Sequence, residues 1–198
     1  MHNCDHNATS PLRPECLVAM THALAVGGNP SSIHAAGRAA REVVDEAREE
    51  IAVLAGMKSG DIVFTSGGTE ANNLALTGAV EGAALMEQGI TCLFVSAIEH
   101  SSILAPAAKL AERIPGLKLS LIPVTADGVV DTEELRIMLR EGKGRTFIAV
   151  MAANNETGAI QPIAEVSRLA REAGALLLID AVTGAGKIDL DVSLCDYM

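Results

Sequence analysis

The strongest constraint on the fold of this chain is a repeated alternation between short apolar runs and longer segments with helical periodicity. Short apolar runs bounded by turn residues are typical of buried strands, and apolar residues recurring every three or four positions indicate helices. The runs predict strands at 61–66, 92–97, 117–124, 145–153 and 175–181, and the periodic segments predict helices at 32–55, 69–88, 101–114, 131–142 and 162–173. This alternation predicts an α/β fold, with a mostly parallel sheet flanked by helices.

Local signals mark where two of these helices begin and end. Ser32 is a predicted N-cap of the 32–55 helix, and Gly56 lies just past its last residue. Asp131 and Glu134 form an Asp-x-x-Glu pattern, which predicts a capping box at the start of a later helix.

Composition argues against several classes of partner. The net charge of −10 disfavours nucleic acid or an anionic membrane as the main partner. No apolar run approaches the roughly 18 residues of a membrane span, and the N-terminus lacks the pattern of a secretion signal. The four cysteines are dispersed, without a Cys-x-x-Cys pair, which favours a reduced, cytoplasmic setting.

Most clusters of polar residues and glycines in this apolar chain come directly after predicted strands. Ligands of parallel α/β sheets bind outside the carboxyl ends of the strands. The stretches at these positions are SGGTE (66–70), IEH (98–100), NNETG (154–158) and DAVTGAGK (180–187). We therefore expect a binding site at this end of the sheet.

The Ser-Gly-Gly-Thr turn at 66–69 joins a predicted strand to a predicted helix. Backbone N–H groups at a helix N-terminus form an anion site, to which the Ser66 and Thr69 hydroxyls would add donors. A tight connection, with Thr69 only capping the helix, is the alternative. No G-x-G-x-x-G opens this helix, so a dinucleotide fingerprint is absent.

A second glycine-rich stretch, AVTGAGKI (181–188), is similar to a P-loop at Gly186 and Lys187. It has Ala181 where the first glycine belongs and Ile188 where Ser or Thr would bind magnesium. A glycine-rich turn is therefore the better interpretation.

Two side chains at predicted strand ends have chemistry suited to a cofactor. Asp180 ends an apolar strand, where a carboxylate needs a donor or a cation. It either accepts bonds from nearby backbone N–H groups or pairs with a protonated ring nitrogen, as in pyridoxal phosphate enzymes. His100 is either a capped or exposed residue at a strand end, or it stacks on such a ring and moves protons near neutral pH.

Six stretches, in order along the chain, match one enzyme family. They are DHNATSPLRPE (5–15), GNPSSIHAAGR (28–38), VFTSGGTEANNLA (63–75), EHSSIL (99–104), ANNETGAIQPI (153–163) and IDAVTGAGKIDLDV (179–192). The chain resembles the cysteine desulfurases of the NifS/IscS type, within the class-V aminotransferases of fold-type I pyridoxal phosphate enzymes. GNPSSIH together with NNETG favours this branch over other class-V members.

The resemblance implies roles for individual residues around pyridoxal 5′-phosphate. Gly68 and Thr69 would bind its phosphate, and His100 would stack on the ring as the candidate acid or base. Asn155 would hydrogen-bond the phenolic oxygen, and Asp180 would pair with the ring nitrogen. It also implies a homodimer that converts L-cysteine to L-alanine and passes sulfur, as a persulfide, to an iron–sulfur scaffold or another sulfur-acceptor protein.

The chain departs from the family pattern at two places. Thr183 stands where the family usually has glutamine, so its hydroxyl reaches less far toward the phenolic oxygen. The N-terminus crowds His2, Cys4, Asp5 and His6 together, but the family has no metal here and we predict none.

The resemblance also implies parts that the 198 residues do not contain. We expect residues 1–198 to cover the N-terminal segment and most of the cofactor-binding large domain, which would be incomplete at its C-terminus. The lysine that anchors the cofactor, the persulfide cysteine and the small C-terminal domain would lie beyond it, and the edge of the sheet near residue 198 would be exposed. Lys187 lies at a position that the family does not use for catalysis.

Four interpretations follow from this partial match. In the first, the chain is a segment of a full-length desulfurase, and in the second it is a catalytically inactive truncated homologue that binds partners. In the third, it belongs to another class-V enzyme, such as a selenocysteine lyase. In the fourth, it is an unrelated α/β module. The segment of a desulfurase is the interpretation that we favour.

Overall fold

The computed structural model describes residue 6, residues 8–85 and residues 89–198. They form two compact units, residues 1–63 and residues 64–198. The pattern His2, Cys4, Asp5 and His6 falls largely outside the described residues. Within the described part of the chain, no group of three potential metal ligands is found, and no helix is long and apolar enough to cross a membrane.

The first unit contains two helices, α1 (Pro14–Val26) and α2 (Ala35–Ala55). The predicted N-cap Ser32 is wrong: α2 is capped by His34, whose Nδ1 accepts a hydrogen bond from the Gly37 N–H at 3.2 Å. The predicted end is confirmed, because Gly56 adopts a left-handed conformation (φ 66°) and closes the last turn.

The second unit is a parallel sheet whose strands are connected by helices. Along the chain its elements are α3 (Gly68–Leu85), β1 (Ile90–Ser96), α4 (Ser101–Arg113), β2 (Lys118–Ile122), α5 (Thr132–Glu141), β3 (Arg145–Met151), α6 (Ile163–Ala173) and β4 (Leu176–Asp180). The strand order is β2-β1-β3-β4, and every neighbouring pair is parallel. The predicted α/β fold is confirmed.

The strand predicted at 61–66 is wrong. Ser59–Asp61 form a 3₁₀ turn, and residues 62–65 have no regular secondary structure. Val63 and Phe64 are 69% and 49% exposed, so this apolar run is not covered as a sheet strand would be. An apolar run becomes a strand only where it joins a sheet, and the four-stranded sheet of the described residues does not include this segment.

Helices cover both faces of the sheet, so successive strand residues are buried in two separate layers. One layer packs β-strand residues such as Leu93, Val95 and Phe147 against α3 and α4. The other packs Phe94, Ile148 and Val150 with apolar residues of α5 and α6. This double burial explains why β1, β3 and β4 are almost continuously apolar, whereas the edge strand β2 is only partly buried and alternates with polar residues.

The helix α5 begins as predicted at Asp131, but only half of the capping box forms. The Asp131 carboxylate accepts hydrogen bonds from the N–H groups of Glu133 and Glu134. The Asp131 N–H donates to the carbonyl of Pro123 at 2.9 Å rather than to the Glu134 side chain. The preceding turn therefore supplies the acceptor that the pattern assigned to Glu134.

The edge of β4 is partly covered by the last residues of the chain. Tyr197 forms a parallel bridge with Leu178, and its carbonyl accepts the Ile179 N–H at 2.9 Å. Its ring lies 5.9 Å from that of Phe147. Residues 196–197 thus continue the sheet beyond β4, where the exposed edge was expected.

Candidate active site

The connections out of β1 and β3 run in opposite directions across the sheet. The chain passes from β1 outward to β2 at one edge, and from β3 outward to β4 at the other. A crevice for ligands forms at such a switch point, outside the carboxyl ends of the strands. His100 follows β1, Asn155 follows β3, and Asp180 ends β4.

The turn at 66–69 leads into the first turn of α3. The first N–H groups of a helix have no acceptor inside it, so those of Gly68 and Thr69 are available to an anion. The Ser66 N–H instead donates to Glu70 Oε2 at 2.6 Å, and hydrogen bonds from Ser66 lower the pKa of Glu70. Glu70 was not predicted, although an acidic residue in a first helical turn is a common signal.

Gly68 lies beside the turn that follows β4. A Cβ atom at Gly68 would come within 2.6 Å of Val182 Cγ2. Glycine therefore lets the start of α3 approach the turn after Asp180 closely. This proximity brings together two stretches that are more than a hundred residues apart in sequence.

Asp180 is buried, with 6% of its surface exposed. Its Oδ1 accepts the Val182 N–H at 2.9 Å, and its Oδ2 accepts a hydrogen bond from Asn72 Nδ2 at 2.8 Å. None of the ion pairs among the described residues includes Asp180. The backbone contact foreseen from the sequence is present, and the carboxylate has no basic partner there.

His100 caps α4. Its Nδ1 accepts the Ser102 N–H at 3.1 Å and lies 2.8 Å from Ser102 Oγ. The imidazole is exposed and, together with Thr69, lines a cleft of about 530 Å³ between α3 and α4. Two residues predicted to belong to the same site thus share one cavity.

Asn155 and Thr183 lie apart from this cleft. Asn155 is partly exposed, and its Nδ2 donates to Glu156 Oε1 at 2.8 Å. Thr183 is also partly exposed, in the turn after β4, and in the described structure no hydrogen bond joins it to another predicted site residue.

The neighbouring Asn154, which was not predicted, holds the loop after β3 in place. Its Nδ2 donates to the carbonyl of Ile98 at 3.2 Å, across the switch point. Its Oδ1 accepts the N–H groups of Glu156 and Thr157. Because two asparagines follow one another in the sequence, the pattern alone does not tell which is buried.

A second buried carboxyl group, Glu99, was also not predicted. It is 6% exposed, and its Oε1 accepts the Met151 N–H at 2.7 Å. Its Oε2 has no hydrogen-bond partner among the described residues. Burial raises the pKa of Glu99 to about 7, and the nearby charge of Asp180 acts in the same direction. Its position after an apolar strand is the same signal that identified Asp180.

The Aminotransferase class-V family model matches residues 2–197. Over 189 residues the chain is 43% identical to the cysteine desulfurase IscS of Dictyoglomus turgidum, covering 95% of this chain and 46% of that protein. It is 36% identical over 218 aligned positions to the selenocysteine lyase of Bos taurus, covering 95% of this chain and 48% of the lyase. The chain therefore spans about half the length of the curated relatives that it matches.

A solved structure described as a NifS-like protein has the same fold. It superposes with a TM-score of 0.87 at 32% sequence identity, covering 97% of this chain and 52% of that one.

Proposed function

The chain belongs to the aminotransferase class-V family, and we propose that it is the cofactor-binding part of a cysteine desulfurase that uses pyridoxal 5′-phosphate. One observation carries the proposal: Thr69 at the N-terminus of α3 lines one cleft with the His100 imidazole, and Asn72 of the same helix hydrogen-bonds the buried Asp180 carboxylate at the end of β4. The similarity to a cysteine desulfurase supports the choice of reaction.

The described residues fit the chemical groups of this cofactor. Gly68 and Thr69 would bind the phosphate, because the N–H groups of the first turn of α3 have no acceptor within the helix. Asp180 would pair with the protonated ring nitrogen, since it is buried and forms no ion pair with any described residue. When bound, the cofactor supplies an electron sink for the charge that develops on the substrate.

The remaining predicted residues would act around the ring. His100 would stack on its face and move a proton near neutral pH. Asn155 and Thr183 would donate hydrogen bonds to the phenolic oxygen. The hydroxyl of Thr183 reaches less far than a glutamine amide, so we expect the weaker contact from it.

In the proposed reaction, L-cysteine loses its sulfur and becomes L-alanine. A thiolate of an enzyme cysteine would attack the substrate sulfur, so that the S–S bond of a persulfide forms as the Cβ–S bond breaks. The electron pair of the broken bond would stay at Cβ, which takes up a proton. The sulfur then passes to an iron–sulfur scaffold or another sulfur-acceptor protein. We propose a cytoplasmic homodimer.

The proposal assigns three further parts to the half of the relatives that this chain does not cover. They are the lysine that anchors the cofactor, the persulfide cysteine and a small C-terminal domain. Residues 1–198 would then represent the N-terminal segment and most of the large domain.

A selenocysteine lyase is the second candidate, favoured by the similarity to the bovine enzyme. The two functions differ in the substrate from which alanine is released. We prefer the desulfurase because the sequence identity to that relative is higher, at 43% against 36%.

The native protein, isolated from its source, tests the proposal. Mass analysis under denaturing conditions after borohydride reduction should find a pyridoxyl adduct on a chain longer than 198 residues. With L-cysteine and a thiol reductant, sulfide and alanine should form in equal amounts. Alanine from selenocysteine alone would identify the lyase, and a protein without adduct or turnover would refute both functions.

Single variants test the assignment of the charged residues. Asp180→Ala should abolish turnover, whereas Lys187→Ala, in an exposed turn, should leave it largely intact. A folded but inactive Lys187→Ala protein would overturn our rejection of that lysine.

A further inference from the structure

Four polar side chains form a continuous line of hydrogen bonds from the end of β4 to the start of α4. In order they are Asp180, Asn72, Ser102 and His100. Asn72 Nδ2 lies 2.8 Å from Asp180 Oδ2 and 2.9 Å from Ser102 Oγ. Ser102 Oγ lies 2.8 Å from His100 Nδ1. The two middle residues are buried, with Asn72 5% and Ser102 6% exposed.

The direction of each hydrogen bond follows from the chemistry of the groups. An ionised carboxylate can only accept, so the Asn72 amide must turn its nitrogen toward Asp180. That nitrogen has two hydrogens, and the second one is donated to Ser102 Oγ. The Ser102 hydroxyl, which already accepts from Asn72, is then free to donate its own hydrogen to His100 Nδ1.

Two donors therefore converge on one nitrogen of His100. The Ser102 N–H donates to Nδ1 at 3.1 Å, in addition to the Ser102 hydroxyl. With Nδ1 committed as an acceptor, the exchangeable ring proton lies on Nε2. Nε2 is consequently the nitrogen through which His100 can interact with a ligand.

We propose that Asn72 and Ser102 are positioning residues that couple Asp180 to His100 and fix which nitrogen of the imidazole faces a ligand. This inference rests on the proposed function for its catalytic meaning, because Asp180 and His100 are the residues assigned to the cofactor ring. The network itself is a property of the chain alone. A change in charge at Asp180 reorients the Asn72 amide, and Ser102 transmits that change to His100.

The network is tested by long-range ¹H–¹⁵N NMR of the histidine ring nitrogens in the protein without added cofactor. Asp180→Asn, which keeps the shape of the side chain, should shift the His100 Nδ1 resonance. In a Ser102→Ala background, the same substitution should produce no further shift. Ser101→Ala is the matched control, because the adjacent serine has no hydrogen bond in this network and should leave the transmitted shift unchanged.

Two outcomes would overturn the coupling. Either Asp180→Asn leaves the His100 nitrogens unchanged, or its effect is the same with and without Ser102, as for a field acting through space. Backbone amide spectra of each variant show whether it has folded. If Ser102→Ala does not fold, the Asn72→Ala variant replaces it, because it removes the amide that joins Asp180 to Ser102.

A kinetic measurement on the full-length enzyme connects the network to catalysis. Acid–base groups contribute about 10²–10⁴-fold to rates, so loss of positioning by Ser102→Ala should lower kcat by about tenfold or more while KM changes little. An unchanged kcat would refute the positioning role. Failure of the proposed function gives a different result, because NMR would still detect the coupling in a protein without desulfurase activity.

Discussion

Replacing Glu99 with glutamine tests whether this end of the sheet holds a protonated carboxyl group. Glu99 is buried; its Oε1 accepts the Met151 N–H at 2.7 Å, and its Oε2 has no hydrogen-bond partner in the described part of the chain. Glutamine keeps the shape and the acceptor but cannot ionise. The variant therefore removes the titration of Glu99 without removing its packing.

The expected change in the free energy of unfolding follows from the difference between the pKa of Glu99 in the folded protein and its pKa in the unfolded chain. Burial raises the pKa of Glu99 from 4.5 to about 7, and each unit corresponds to about 1.4 kcal/mol. Between these values the folded protein binds more protons than the unfolded chain, so stability falls as pH rises. The stability that protonated Glu99 contributes to the folded protein is fully present below about pH 4.5 and is lost by about pH 7. The free energy of unfolding changes by roughly 3 kcal/mol over this range.

The assay is urea unfolding, monitored by the fluorescence of Tyr197. It is the only tyrosine in a chain without tryptophan, and it contacts Phe147 in the second unit. The stability of Glu99→Gln relative to wild type should increase by about 3 kcal/mol between pH 4.5 and pH 7.5. Carboxylates distant from Glu99 contribute equally to the stability of both proteins and cancel in the difference.

A matched control is Glu112→Gln, which removes an exposed carboxyl group from α4. Its stability relative to wild type should vary little over the same range. If the stability of Glu99→Gln relative to wild type also stays constant with pH, the reasoning is refuted. That result would mean that Glu99 is ionised or hydrated in the folded protein.

Three further substitutions test local packing by the same unfolding assay. Gly68→Ala should cost about 1 kcal/mol, because its Cβ would lie 2.6 Å from Val182 Cγ2. Gly67→Ala, whose Cβ meets nothing within 4 Å, is its control, and equal stability of the two variants would contradict the steric argument. Gly78→Ala, in open space within α3, should stabilise by about 0.5–1 kcal/mol; a loss would show an undetected contact. Asp131→Ala should cost about 1 kcal/mol, since two N–H groups of α5 lose their cap; an unchanged protein would rule out this contribution.

The sequence predicted those elements whose signal is local. The strands β1 to β4 and the helices between them were found because each strand contains several apolar residues, although β2 also holds Lys118 and Ser120, and each helix has its own periodicity. The segment 61–66 has the same apolar signal but is no strand, because pairing depends on a neighbour that an apolar run does not identify. Likewise, Asp131 was correctly identified as a cap, whereas the partner of its own N–H comes from the preceding turn.

From the sequence, only those site residues could be predicted that come at the ends of apolar strands. Asp180 and His100 stand out because a polar residue follows an apolar run. Asn72 and Ser102 lie within helices, where burial depends on how the helix is rotated against the sheet. The adjacent Asn73 is partly exposed although its residue type is the same. Tertiary packing, not residue type, thus decides which asparagine joins the network.

The two buried carboxyl groups differ in the number of donors that hold them, and this difference suggests why only one is suited to the cofactor. Asp180 accepts hydrogen bonds from Val182 and Asn72, one at each oxygen, so its orientation is fixed from two sides. Glu99 accepts one, at Oε1, and leaves Oε2 without a partner in the described structure. A carboxylate that must pair with a cationic ring nitrogen needs a fixed orientation and a charge. Protonation of the neighbouring Glu99 would remove a like charge from beside Asp180.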